Sequence, residues 1–290
     1  MIYRVRHVTE YRYVESVTTS HHDLHLLPRV VPGQTVIAES LTVNPPPAVR
    51  RDRLDWFANR ATHLAIHERH DRLSVTSELE IEVEPAPPPE TDVAWEVARD
   101  AVRSPSDPDA RAAVELVLPS PRIGPSQAAY ELAAPLFTRG RPLVEAARAL
   151  MHLIHEEFTY DPAATDVSTS VDEVLGHGRG VCQDFAHVQI ACLRSLGLPA
   201  RYISGYLVTR PNGEPRMVGA DASHAWLAVR LPDGRWLDLD PTNDVVPAHR
   251  HIAIAWGRDF GDVTPMRGVV LGGGQHDLHV GVDVTPLSEV

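Results

Sequence analysis

The sequence predicts an α+β fold in two parts, an all-β domain first and a mixed α+β domain after it. Three observations carry this reading. Apolar residues alternate with period two through the first hundred residues, a helical spacing takes over from Pro142 to Leu196, and strand-like segments return from Arg201 onwards. A chain of 290 residues is long enough to bury two cores.

The elements follow in order. "YRVRHVTEYRY" (from Tyr3) and "LSVTSELEIEVE" (Leu73 to Glu84) alternate as half-buried strands do, and "TVIAESLTV" is a third strand closed by Pro45, Pro46 and Pro47. The run "EPAPPPE" (Glu84 to Glu90) ends this sheet, because consecutive prolines cannot donate to a ladder. The first domain is therefore placed at 1–105. "SPSDPD" and "PSPRIGPS" mark a connecting segment, 106–140, and the second domain runs over 141–290 with C-terminal strands. Its first helix is "RPLVEAARALMHLIHEEF", with Pro142 near the first turn and apolar residues at Leu143, Ala146, Leu150, Leu153 and Ile154.

A second helix holds both cysteines of the chain. Gly180 precedes an apolar stripe at Val181, Phe185, Val188, Cys192 and Leu196, and Gly197 followed by Pro199 ends it. The ten residues from Cys182 to Cys192 span about 15 Å of helix, while bridged cysteines need Cα atoms within about 7 Å, so no disulfide joins them. Cys192 lies on the stripe and reads as a small buried hydrophobe. Cys182 is off the stripe and in the first turn, where free N–H groups and the helix dipole favour a thiolate. Gly176, Gly178 and Gly180 just before it would let the backbone approach a ligand closely.

A thiolate nucleophile needs a base, and "SHAWLAVRLPDGRWLDLDPTND" (Ser223 to Asp244) offers one. It reads as a hairpin around Pro232-Asp233-Gly234, which pairs Leu231 with Arg235. Leu227, Val229, Leu231, Leu237 and Leu239 then share one face. His224, Trp226, Ala228, Trp236, Asp238 and Asp240 share the other. In this register His224 is the diagonal neighbour of Asp240, within side-chain reach. Asp244 is the other diagonal, but Pro241 ends regular pairing before it. A helix-start thiol, an imidazole and a carboxylate to orient it are the parts of an activated thiol nucleophile, with the Cys182 N–H as an oxyanion donor.

"GRGVCQDFAHVQIACLRSLGLPARYISGY" followed by "SHAWLAVRLPDGRWLDLDPTND" resembles the core of the bacterial transglutaminase-like superfamily. The pattern is a G-x-G-V-C helix start, then H-A-W, then a G-x-W hairpin ending in D-P-T. "HVTEYRYVESVTTSHHDLHLLPR" resembles the opening of the β domain that precedes this core in bacterial members. The resemblance implies a papain-like core, a nucleophile helix packed on an antiparallel sheet, with nucleophile Cys182, base His224 and orienting Asp240. It implies thiol-dependent acyl transfer or amide hydrolysis on peptide or protein substrates through a thioester, as a transglutaminase or a cysteine protease. The rival expectation is an inactive binding module on the same fold. One departure stands out, since many relatives carry Glu where this chain has Ala228.

Further candidates are weaker. Gln183 and Tyr160 are expected as oxyanion or cleft residues, and Trp226 as shelter for an ion pair beside the cleft. Histidine clusters at His21, His22 and His25, at His63, His67 and His70, and at His249 and His251 lack metal-site spacing, so no metal is expected. His177 and His187 flank the cysteine helix as surface or supporting residues. No cofactor is implied.

Composition bounds the partners and the setting. The net charge of −12 argues against nucleic acid and anionic membranes. No apolar run is long enough to cross a bilayer, and the amino terminus reads as a strand and not as an export signal. Two cysteines suit a reducing cytoplasm. All 27 basic residues are arginine, which fits the codon usage of a GC-rich genome and leaves the chain no lysine with which to crosslink itself.

Overall fold

The computed structural model describes residues 1–105, 108–209, 217–220 and 222–287. The chain begins with β1 (Ile2–Leu24), followed by β2 (Gln34–Asn44), β3 (Val49–Leu54), β4 (Arg60–Ile66) and β5 (His70–Val83). All are antiparallel neighbours in the order β2-β5-β1-β4-β3. The 23-residue β1 changes register between Arg12 and Val17. Its first half pairs with β5 and its second half with β4. Alternation decides which face is buried: Tyr3, Val5, Leu79 and Ile81 point inward, while Arg4, Arg6, Glu78 and Glu80 point out.

Three short helices follow: α1 (Trp95–Arg103), α2 (Pro108–Val114) and α3 (Gln127–Ala133). The stretch 106–140, expected as a connecting segment, carries two of these short helices, α2 and α3. Trp95, Ala98, Ile123, Ala129 and Ala133 are buried in the main core. Of the prolines that suggested breaks, Pro108 stands in the first turn of α2 and Pro125 just before the cap of α3, while Pro119 and Pro121 lie in the turn between the two helices. Ser126 caps α3 by accepting the Ala129 N–H at 3.0 Å.

The helix α4 (Leu143–Glu157) buries Leu143, Ala146, Leu150 and Ile154 of the stripe its spacing predicts, with Leu153 half-buried at the edge. Next come β6 (Thr159–Tyr160), α5 (Val171–His177), the two-residue β7 (Arg179–Gly180) parallel to β6, and α6 (Cys182–Ser195). A second antiparallel sheet is built from β8 (Ala200–Leu207), β9 (His224–Arg230), β10 (Trp236–Leu239) and β11 (His251–Gly257), in the order β10-β9-β8-β11. One of its faces carries α6, with Phe185, Val188, Cys192 and Leu193 packed on Tyr202, Leu227, Val229 and Leu237. Each such fully buried aliphatic side chain contributes roughly 1.5–3 kcal/mol. Towards the end of β8, Tyr206 with Ile252 and Ile254 of β11 shares a core with Tyr3, Val5 and Ile81 of the first sheet.

After α7 (Phe260–Val263) the last two strands, β12 (Met266–Gly272) and β13 (His276–Pro286), pair with β1. The expected unit 141–290 thus returns its C-terminal strands to the first sheet. Local alternation shows that these strands exist but not their partner, which lies near the other end of the sequence. No helix among the described residues is long and apolar enough to cross a membrane.

Candidate active site

The start of α6 is fixed by Asp184. Its carboxylate accepts the Val181 N–H at 2.8 Å and the Thr165 hydroxyl at 2.7 Å. A Cβ on Gly180 would stand 2.6 Å from Asp184 Oδ2, so glycine there is what lets the carboxylate fold back. Cys182 is consequently the first helical residue, and its N–H is one of the donors a helix start leaves without an intrahelical acceptor. Two of the three glycines before it have structural roles. Gly180 makes room for Asp184, Gly178 ends α5 at φ +61°, and Gly176 faces open space.

Both cysteines are free. Cys192 is fully buried on the core face, and burial pushes its thiol up to about 12. Cys182 is 8% exposed.

The hairpin forms in the predicted register. Trp236 pairs with Arg230, Asp238 with Ala228 and Leu239 with Leu227, while Gly234 takes φ +89° in the turn. Asp240 lies one residue beyond the last of these pairs and bridges to Val245. His224, at the start of β9, donates its Nε2–H to Asp240 Oδ2 at 2.9 Å. Asp244 turns elsewhere, to His152 at 2.8 Å.

Two residues that sequence reading did not assign to the site complete the surroundings of Asp240. His251, from β11, donates its Nε2–H to the same Oδ2 at 3.0 Å, and Asn243 Nδ2 reaches it at 2.9 Å. Asp240 Oδ1 accepts the backbone N–H groups of Thr242 and Asn243 at 3.0 and 3.3 Å. Asn243 also holds both the N–H and the C=O of Val218. The Asp240 turn has a readable signal, since Asp followed by Pro-Thr-Asn favours a side chain bonded to its own downstream backbone. His251 has none, because it depends on β11 pairing with β8, where His251 faces Leu207.

Asp240 is completely buried, and His224 is only 1% exposed. Burial alone would raise the carboxyl, but the charge and hydrogen bonds of His224, with the His251 bond, hold it well below the usual carboxylate range. Burial alone would lower His224. The Asp240 carboxylate and then Cys182 outweigh it and bring the imidazole up to about 10. His251 is pushed down by burial, against the pull of its bond to Asp240. With Nε2 committed to Asp240, Nδ1 is the nitrogen of His224 left for the sulfur. It is buried, and Cys182 is the group that acts on it.

The remaining candidates are placed as follows. A Cβ on Gly219 (φ +84°) would lie 2.9 Å from His224 Nδ1 and 3.8 Å from the Tyr160 hydroxyl, so backbone, imidazole and phenol converge there. Tyr160 also meets the Phe185 ring edge-on at 6.4 Å. Gln183 is half-buried in the first turn of α6. Trp226 is buried behind the imidazoles, stacked on His224 at 6.2 Å and edge-on to His251 at 5.2 Å, with its indole N–H on Asp238 at 3.1 Å. His187 is buried and accepts the Phe260 N–H, while exposed His177 accepts that of Arg179.

Among the described residues, one group has metal-ligand spacing: His224, Asp240 and His251, with ligand atoms within 4.8 Å of one another. Both ring nitrogens sit at hydrogen-bond distance from one carboxylate oxygen, which accounts for the cluster without a cation. The clustered histidines of the first domain stack instead, His21 on His63 at 5.7 Å, with His63 on Asp23 at 3.1 Å.

Comparison with known proteins bears on this arrangement. Residues 130–241 match the model described as the transglutaminase-like superfamily, and residues 3–82 match the bacterial transglutaminase-like N-terminal region. An uncharacterized protein of Mycobacterium tuberculosis is 42% identical over 296 residues, covering 98% of this chain and 92% of its own. A protein-glutamine gamma-glutamyltransferase of Pseudomonas aeruginosa is 32% identical over 111 residues, 37% of this chain and 17% of its own. The solved structure of "a Putative Cysteine Protease from Cytophaga hutchinsonii" covers 100% of this chain and 92% of its own, at a TM-score of 0.74 and 21% identity, a likeness of fold.

Proposed function

Because this chain belongs to the transglutaminase-like superfamily, we propose that it is a thiol-dependent acyl-transfer enzyme with Cys182 as nucleophile, His224 as acid–base and Asp240 as its orienting partner. The observation that carries this reading is a buried imidazole bonded to the buried Asp240 carboxylate at 2.9 Å, which, with Cys182, draws His224 up to about 10 against its burial. A thiolate–imidazolium pair of this kind is the resting form of an activated cysteine.

The cycle follows from these positions. The Cys182 thiolate attacks an amide carbonyl carbon, and the developing oxyanion meets the Cys182 N–H at the helix start. His224 gives its proton to the departing amine, leaving an acyl thioester. In the second half, neutral His224 takes a proton from the incoming nucleophile, amine or water, and the thiolate returns. Asp240 keeps Nε2–H engaged throughout, so that Nδ1 always faces the sulfur. Tyr160 and Gln183, beside the reacting groups, are assigned to the cleft, and Trp226 to the support of the two imidazoles. The name of the Pseudomonas relative supports a glutamine carboxamide as acyl donor.

The test is incubation with a glutamine-containing peptide, with and without a fluorescent primary amine, followed by mass spectrometry of protein and peptide. The chain has no lysine, so an amide-linked label on the peptide comes from the added amine. A thioester on Cys182 and a modified peptide, both absent in Cys182→Ala, are expected. Loss of ammonia with water as acceptor would make it an amidase. No acyl adduct across a panel of amide peptides, with equal slow alkylation of both cysteines, would favour the inert binding module.

A further inference from the structure

A cavity of about 840 Å³ lies at the seam between the two sheets, on the face of β8–β11 opposite α6. That size falls in the range of small-molecule sites. Its walls include Arg201, Trp226, Trp236, Asp238, His251 and Trp256, and the proline run after β5 closes one side. Neither Cys182 nor His224 lines it, so it lies behind the reacting groups, with Trp226 and His251 as the wall between them.

The chemistry of the cavity centres on Arg201. The register places Arg201 and Asp238 on either side of Ala228, and a side chain as small as alanine leaves the space across β9 open. The Arg201 guanidinium lies 4.2 Å from the Trp236 ring centre and 3.7 Å from that of Trp256. It is 9% exposed. Its Nε is buried without a partner, and no ion pair or hydrogen bond to its guanidinium exists among the described residues. Arg29 stacks on Trp256 as well, at 3.1 Å, but its guanidinium is bonded to Phe57 O and Asn59 Oδ1. Burial drives Arg201 down to about 10, against the pull of Asp238.

A buried charge is stable only when paired and hydrogen-bonded, and stacking on indoles supplies only part of that. Asp238 does not fill the role, since one of its oxygens is engaged by Trp226 and it stands beyond ion-pair distance. At the rim, Arg235 is paired with Asp233, and Glu90 with Arg148. Glu84 is exposed. We propose that this cavity is a binding site for a small organic carboxylate with a flat apolar body, its carboxylate on Arg201 and its body among Trp226, Trp236 and Trp256. The planar fork of a guanidinium matches a carboxylate, and the indole walls exclude water from the pair.

The experiment is calorimetric titration of the intact protein with benzoate, and with benzamide and benzamidine as neutral and cationic counterparts of the same shape. Benzoate should bind at one site with a Kd of roughly millimolar or tighter. Benzamide and benzamidine should bind at least tenfold more weakly. Arg201→Gln should abolish benzoate binding. Should that variant misfold, Ala248→Trp fills the exposed rim of the cavity without touching Arg201, and it should also weaken benzoate at least tenfold. No saturable benzoate binding, equal binding of benzamide or benzamidine, or full affinity in Ala248→Trp would each overturn the proposal.

Discussion

Replacing Asp240 by Asn keeps the outline of the side chain and removes its charge. The carboxylate accepts five hydrogen bonds, from His224, His251, the Asn243 side chain and two backbone N–H groups. An amide has only one acceptor oxygen, so its NH₂ must face donors, either the imidazoles or the backbone. Removing one partner of a buried charged pair costs about 3–5 kcal/mol. His224 loses the group that outweighs its burial, so its pKa falls from about 10 to below that of a free imidazole, and it is neutral near pH 7. Without a cation beside it, a thiol of ordinary pKa, about 8.5, is only about 3% thiolate at pH 7. Alkylation of Cys182 by limiting iodoacetamide should therefore slow by about 30-fold or more, and its pH profile should move to higher pH. The assay is the modification rate assigned to Cys182 by peptide mapping, run beside His224→Ala. A folded Asp240→Asn protein that reacts within threefold of the parent rate at neutral pH would refute the reasoning.

The other predictions concern stability and the roles of single residues. Burial holds His7 and His22 down at about 4 and His187 at about 3. The unfolded chain takes up these protons near pH 6.5 and the native one does not, so stability is complete above that pH and falls as acid approaches 4. Each group contributes up to about 3 kcal/mol or more, readable as a falling thermal midpoint and a flatter slope in His7→Gln. His224 works in the opposite sense: its contribution is complete below about 6.5 and is lost as pH rises through about 10. Gly180→Ala should cost about 1–3 kcal/mol by driving Asp184 off the Val181 N–H, and urea unfolding measures it. Cys192→Ala should cost about 1–2 kcal/mol for its small cavity, while the alkylation rate of Cys182 stays unchanged.

What the sequence made readable was local. The hairpin register follows from one glycine in the left-handed region, Gly234, and that register alone brings His224 to Asp240. The place of Cys182 follows from where an apolar stripe begins and glycine stands. The larger part of what was missed depends on pairing between distant segments. His251 joins Asp240 because β11 pairs with β8, and the C-terminal strands close on β1. The short helices within 106–140 were hidden by the prolines around them, of which Pro108 starts α2. Ala228, the departure from the family pattern, acquires a physical consequence only once β8 sets Arg201 opposite it.

The account stands on a charged pair between Cys182 and His224 in the resting protein. Its most direct measurement is the ultraviolet absorbance of thiolate, followed as pH is raised, in the parent chain and in Cys182→Ser and His224→Ala. The parent should show a thiolate absorbance that both variants lack at the same pH. A parent whose absorbance rises only near pH 8.5, the range of an ordinary thiol, and which overlays His224→Ala would contradict the account.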